Sequence, residues 1–126
     1  MAKPGTWMLS CVESKMFEQT EGRLLAILDD KSLGVDKDNV FLAIALIRKL
    51  TDVAEIEEID ASADDNGEVV LDITLKNDSA LVLFLDYKNN IATSYIETDS
   101  EIKDFKEFSI EGLSDKIKEE IKNINT

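Results

Sequence analysis

The sequence contains no histidine. That absence removes Ser-His-Asp and Cys-His nucleophilic catalysis, histidine acid–base chemistry and the common zinc sites. A single cysteine, Cys11, excludes an internal disulfide and points to the cytoplasm or another reducing compartment. Only Lys15, one helical turn on, could lower the Cys11 pKa, so a small buried side chain is the expected role rather than a nucleophile. One proline and five glycines in 126 residues leave no Pro/Gly-rich linker and no low-complexity tail. No apolar run approaches the ~20 residues needed to cross a bilayer. There is also no GxxxxGK[ST] and no GxGxxG loop, so nucleotide binding by those routes has no support.

Basic residues are scarce as well. The chain has 14 Lys plus Arg against 27 Asp plus Glu, a net charge of -13. Between Asp52 and Glu68 the acids Asp52, Glu55, Glu57, Glu58, Asp60, Asp64, Asp65 and Glu68 occur without one base, and Glu97, Asp99 and Glu101 form a second group expected near the same sheet edge. Such a surface disfavours direct nucleic acid binding and docking to an anionic membrane, both of which need the opposite charge. It favours a basic protein partner, because a field of one sign steers association and discriminates partners. Net negative charge also simply keeps proteins soluble, and that plainer reading stands beside the first.

What is present most clearly is a set of strands. Glu68 to Glu97 reads EVVLDITL, KNDS, ALVLFLDY, KNN, IATSYIE. Val69, Leu71, Ile73 and Leu75 alternate with more polar residues, as in a half-buried strand. Ala80 to Tyr87 is apolar on both faces and should be central. Asn77-Asp78-Ser79 and Lys88-Asn89-Asn90 supply turn chemistry, and Ile91 to Ile96 returns with β-branched and aromatic residues. An odd-numbered first loop places Leu71, Ile73 and Leu75 on the face of Leu81, Leu83 and Leu85, whereas a two-residue Asn77-Asp78 turn would align them with Val82 and Phe84; the odd loop is the expectation taken. The second face then carries Val70, Thr74, Val82, Phe84, Ala92, Ser94 and Ile96.

Upstream, Thr6 is placed to cap a helix in which Leu9, Val12, Met16, Thr20, Leu24, Ile27 and Leu28 recur at helical spacing, with Gly22 as a point of division. After a stop at Gly34, Asp36 or Asp38 starts a second helix, Asn39 to about Ala54, apolar nearly all round and therefore buried against the sheet. Glu55 to Gly67 reads either as a continued helix, with Ile56 and Ile59 on one side, or as an edge strand in which Ile59, Ala61 and Ala63 alternate; the expectation taken is a short fourth strand near Glu57 to Ser62, entering Glu68 through Asp64-Asp65-Asn66-Gly67. Beyond Glu97 a polar connection is expected, anchored by Phe105, Phe108 and Ile110. A final amphipathic helix then places Leu113, Ile117, Ile121 and Ile124 on one side. Trp7, Phe17, Phe41, Phe105 and Phe108 are expected in the core. The expected architecture is one α+β domain spanning residues 1–126: a three- to four-stranded antiparallel meander with two N-terminal helices and one C-terminal helix, in the order α-α-β-β-β-β-α.

Two local patterns need weighing. Leu9-Ser10-Cys11 has the outline of a lipoprotein cleavage site, but only Trp7-Met8-Leu9 stand where ~7–15 apolar residues are required, so no leader is expected. Ser62 to Val69 resembles part of a calcium-binding EF-hand loop, with Ser62, Asp64 and Asn66 on liganding positions and Gly67 on the glycine. The closing glutamate position falls on Ile73 and a strand follows where a helix belongs, so a hairpin turn is expected, with no metal and no cofactor.

The functional expectation is a non-enzymatic, acidic protein-binding module. In size, acidity and α+β layout the chain is similar to small prokaryotic immunity proteins, antitoxins and phage-encoded inhibitors of defence nucleases, a likeness of type that no motif carries residue by residue. It implies an inhibitor that masks a basic, nucleic-acid-handling site on another protein, such as a nuclease. The acids from Asp52 to Glu68 would supply charge, and Val82, Phe84 and Ile96 apolar anchoring. The alternative is an assembly or adaptor protein that forms a homodimer through the same sheet face.

Overall fold

The computed structural model describes the backbone of residues 4–124 and the side chains of residues 15–124. The elements run α1 (Pro4–Asp29), a 3-10 turn (Lys31–Leu33), α2 (Lys37–Lys49), β1 (Ile56–Ala63), β2 (Val69–Leu75), β3 (Ala80–Asp86), β4 (Ile91–Glu97), β5 (Ile102–Ser109) and α3 (Leu113–Ile124). The strands form one antiparallel sheet in sequence order, with β3 at its centre. The α+β class and the meander therefore hold, with five strands in place of three or four. The fifth, β5, lies where the sequence suggested only a connection. Seven of its eight residues are exposed, so it shows no alternation of apolar and polar residues.

Helix α1 is continuous through Gly22 and begins at Pro4, whose fixed φ and missing N–H suit a first turn. Thr6 thus lies inside the helix; its side chain and those of Trp7, Leu9, Cys11 and Val12 fall outside the described residues. Helix α2 starts at an Asp36 cap, whose carboxylate accepts the Asp38 N–H at 2.9 Å, and ends at Lys49, five residues before the expected Ala54. It is buried on one side only, through Val40, Ala43, Leu46 and Ile47, while Phe41 is exposed.

All three helices pack on one face of the sheet: α1 against β1, α2 against β2 and β3, and α3 against β5. Beneath them Leu71, Ile73, Leu75, Leu81, Leu83 and Leu85 are fully buried with Leu24, Ile47, Ile117 and Ile121. The first hairpin register agrees with the odd-loop expectation, since Leu71 faces Leu83 and Ile73 faces Leu81. The next hairpin does not. Its loop is the four residues Tyr87 to Asn90, with Asn90 in the left-handed region at φ 58°, so Leu81 faces Ile96, Leu83 faces Ser94 and Leu85 faces Ala92. An even loop inverts the parity of everything that follows. Ala92, Ser94 and Ile96 accordingly lie on the helix-covered face, and Ile91, Thr93 and Tyr95 take their place opposite.

The turn ends of the sheet are clamped to α2. Gly67 adopts φ 79°, and a Cβ there would meet the Gly34 carbonyl at 3.0 Å, so only glycine fits without a shift. Its carbonyl accepts the Asp36 N–H at 3.2 Å and the buried Asn39 Nδ2 at 3.0 Å. The Asn39 Oδ1 in turn accepts the Tyr87 N–H at 2.7 Å. One amide side chain thereby joins α2, the β1–β2 turn and the β3–β4 turn.

Candidate functional site

Among the described residues, no element covers the face opposite the helices. Directly opposed residues in antiparallel strands share a face, so the registers lay out its rows. One row reads Glu58, Thr74, Ala80, Glu97, Ile102; the next Asp60, Asp72, Val82, Tyr95; the third Ser62, Val70, Phe84, Thr93, Glu107; the last Asp86, Ile91, Ser109. A bulge in β5, with Asp104 at φ 56°, sets Phe105 beside Tyr95.

These rows divide the face by chemistry. Over β3 to β5 runs an aromatic diagonal: Phe84 and Tyr95 have ring centroids 6.0 Å apart, Tyr95 and Phe105 5.6 Å, all tilted. Such spacings are those of favourable aromatic pairs. Val82 lies among them, 4% exposed but outside the helix-side core, whereas Phe105 is 74% exposed and Ile102 51%. Over β1 and β2 stand Glu58, Asp60 and Asp72, with Glu97, Glu107 and Asp86 on the remaining rim. Among the described residues no lysine or arginine occupies a strand position on this face.

The carboxylates act on one another. Asp60 and Asp72 are directly opposed across β1 and β2, an arrangement that sheets ordinarily avoid. Partial burial pushes the Asp72 carboxyl above its usual range, and Glu97, Asp60 and Glu58 push it further. The Tyr95 phenol is raised by burial, then by Glu97 and Asp72. At the far end Glu68 is raised by burial, with Asp64 and Asp86 adding to it. Among the described residues, Asp60 alone of these carboxylates has a cation paired with it, Arg23, which reaches the sheet from α1.

The acids of Asp52 to Glu68 do not form one patch. Strand β1, eight residues long, extends about 26 Å at 3.3 Å per residue, and the segment runs its whole length. Glu58 and Asp60 join Val82 and Phe84 on the open face. Asp52 sits 3.1 Å from Lys118 of α3, and Glu55 lines the same hollow beside Lys118 and Lys122. Glu57 is the extra residue of a β1 bulge and lines a hollow with Phe17 and Lys76. Asp64 builds the turn by accepting the N–H groups of Asn66 and Glu68, each at 2.9 Å, while Asp65 is exposed at its tip. Ile96 is buried under the helices, 7% exposed, and cannot anchor a partner on the open face. Glu97 lies at the same end of the sheet as Glu58, three strands away, rather than at the same edge.

Tyr95, Asp72, Glu97, Phe105 and Ile102 were missed as a group. The signal for Tyr95 was an even loop length at Tyr87 to Asn90; for Phe105 and Ile102 it was a fifth strand that has no alternation to show. Phe17 is buried and Phe108 partly so, as expected, but Phe41 and Phe105 are exposed. No group of three or more acidic or cysteine side chains poised to hold a metal ion occurs among the described residues, and no described helix is long and apolar enough to cross a membrane.

The fold and this face together define a two-layer α+β protein with helices on one side of a five-stranded meander and an acidic, aromatic-centred surface on the other. Comparison with protein-family models, with curated proteins and with solved structures returned no match.

Proposed function

We propose that this is a protein-binding module that docks a basic surface of another protein onto the open face of its sheet. The supporting observation is the composition of that face: Glu58, Asp60, Asp72, Asp86, Glu97 and Glu107 around an aromatic centre, with no base among the strand positions. Asp60 pairs with Arg23 and Asp86 accepts from Asn89 in the β3–β4 turn, but the acids of the face repel one another, and that repulsion is relieved when a cationic partner arrives. The aromatic centre provides apolar area for a stable contact and π faces for a partner's arginine or lysine. Targets of this kind include the basic sites with which nucleases and other nucleic-acid-handling proteins meet phosphate, so the module would act as an inhibitor by occupying such a site.

A second copy of the chain is the weaker occupant, because a face-to-face dimer sets six carboxylates against six. The test is a pull-down with the tagged full chain from its native cell, eluted in a salt gradient, beside the Asp72→Lys/Glu97→Lys variant. The expected result is a basic protein released by moderate salt and absent from the variant's eluate. Equal capture by both chains, or only a salt-resistant self-oligomer, would refute the proposal.

A further inference from the structure

Both edges of the sheet are closed to strand addition. At β1, Thr20 of α1 donates its hydroxyl to the Ile59 carbonyl at 2.9 Å and Arg23 pairs with Asp60, so the helix lies along that strand. At β5, the left-handed Asp104 and the bulge interrupt the backbone, and Lys103 and Lys106 add charge, devices by which natural edges resist a further strand. A partner that binds the sheet therefore meets its face and not its backbone.

The face also has dimensions. Five strands about 4.8 Å apart span ~19 Å, and seven residues of strand ~23 Å. An α-helix is about 10–12 Å across and covers ~23 Å in 15 residues. Laid along β3 and β4, it would rest on Phe84 and Tyr95, above the buried Val82. One flank would then overhang Asp72 and Asp60 about two strands away, and the other Phe105. Apolar and acidic zones are thus side by side at the width of one helix, a segregation that matches a helix with an apolar stripe and a basic flank.

Resting on the binding reading above, we infer that the element this face receives is a basic amphipathic α-helix of about 15 residues from the partner protein. It supplies the third layer that the sheet lacks, its apolar stripe on Phe84, Tyr95 and the edge of Phe105 and its lysines or arginines over Glu58, Asp60 and Asp72.

The probes are two synthetic 15-residue peptides of identical Leu, Lys, Arg and Ala composition, one patterned at helical spacing with a single basic flank, the other at period two. Each is titrated into the 15N-labelled full chain at low salt. The helical peptide is expected to bind at least tenfold more tightly, to gain helical circular dichroism, and to move the amides of Val82, Phe84, Thr93 and Tyr95. Phe105→Ala and Asp72→Lys, both at exposed positions, are each expected to weaken it about tenfold without changing the protein's own melting curve by more than a few degrees. Equal affinity for the two peptides would overturn the helix while leaving a cationic docking face in place. Shifts confined to other surfaces, or none with either peptide, would overturn both.

Discussion

Replacing Asp72 with Asn should make the protein more stable, which is the reverse of what most substitutions do. Asp72 is directly opposite Asp60, with Glu97 and Glu58 on the same face. Like charges opposed across a sheet cost up to about 1 kcal/mol, and a Debye length of about 8 Å at physiological salt leaves neighbours at this range only partly screened. Arg23 offsets some of the Asp60 charge, and Asn has a strand propensity similar to that of Asp, so the net gain at pH 7 is about 0.5–1 kcal/mol. In a chain of 126 residues that corresponds to roughly 2–4 °C in Tm. The pH dependence has a definite sign. The folded chain holds the Asp72 proton more tightly than the unfolded chain, so the penalty is complete above the folded-state pKa. It fades as the pH falls through that value and is gone below the ordinary carboxylate value of 3.8. Thermal and urea melts of both proteins at pH 7 and pH 4, with and without 1 M NaCl, test this. The advantage of the variant should shrink with acid and with salt. Loss of stability at pH 7, or a gain indifferent to both, would refute the account of the face as a surface held under its own repulsion.

Three further outcomes follow from the packing. Asn39→Ala removes the buried acceptor of the Tyr87 N–H and a donor to Gly67, and should cost about 2–3 kcal/mol by urea denaturation. Lys106 pairs at 2.6 Å with Glu120, which is nearly buried; Lys106→Met should therefore cost about 1–2 kcal/mol, whereas Lys106→Met/Glu120→Leu should recover most of it, measured with Glu120→Leu to close the double-mutant cycle. Leu83→Ala, at a fully buried position, should cost about 2–5 kcal/mol, while Phe105→Ala, at 74% exposure, should stay within about 0.5 kcal/mol and yet weaken partner binding; comparable losses for the two would contradict the assignment of the faces.

The elements most legible in the sequence are those with one dry side. The strands β1, β2 and β4 and helix α3 each bury a single face, so period two or helical spacing survives in the residues. The central strand β3 announces itself by the run Leu81, Val82, Leu83, Phe84, Leu85. Strand β5 has neither mark: its residues are exposed on both faces, and KDFKEF carries no period for a reader to find. The binding face was legible in part, through Val82, Phe84, Glu58 and Asp60, and misread at Ile96 because one loop proved to be four residues long rather than three.

By itself, then, the sequence determined the α+β class, the antiparallel meander of β2 to β4 and the surplus of acid, and favoured β1 as a strand and an odd loop between β2 and β3, because each is recorded in local periodicity, turn chemistry or composition. Only the tertiary structure decided which acids meet. Asp52 and Glu55 turn toward the lysines of α3 and Asp64 is used up in a turn, while Asp72 gathers Glu58, Asp60 and the sequence-distant Glu97 about it, with Tyr95 beside Asp72 and Glu97. The physical reason lies in the pleat. Each strand sends alternate side chains to opposite faces, so loop length and bulges, rather than proximity in sequence, choose the company each charge keeps.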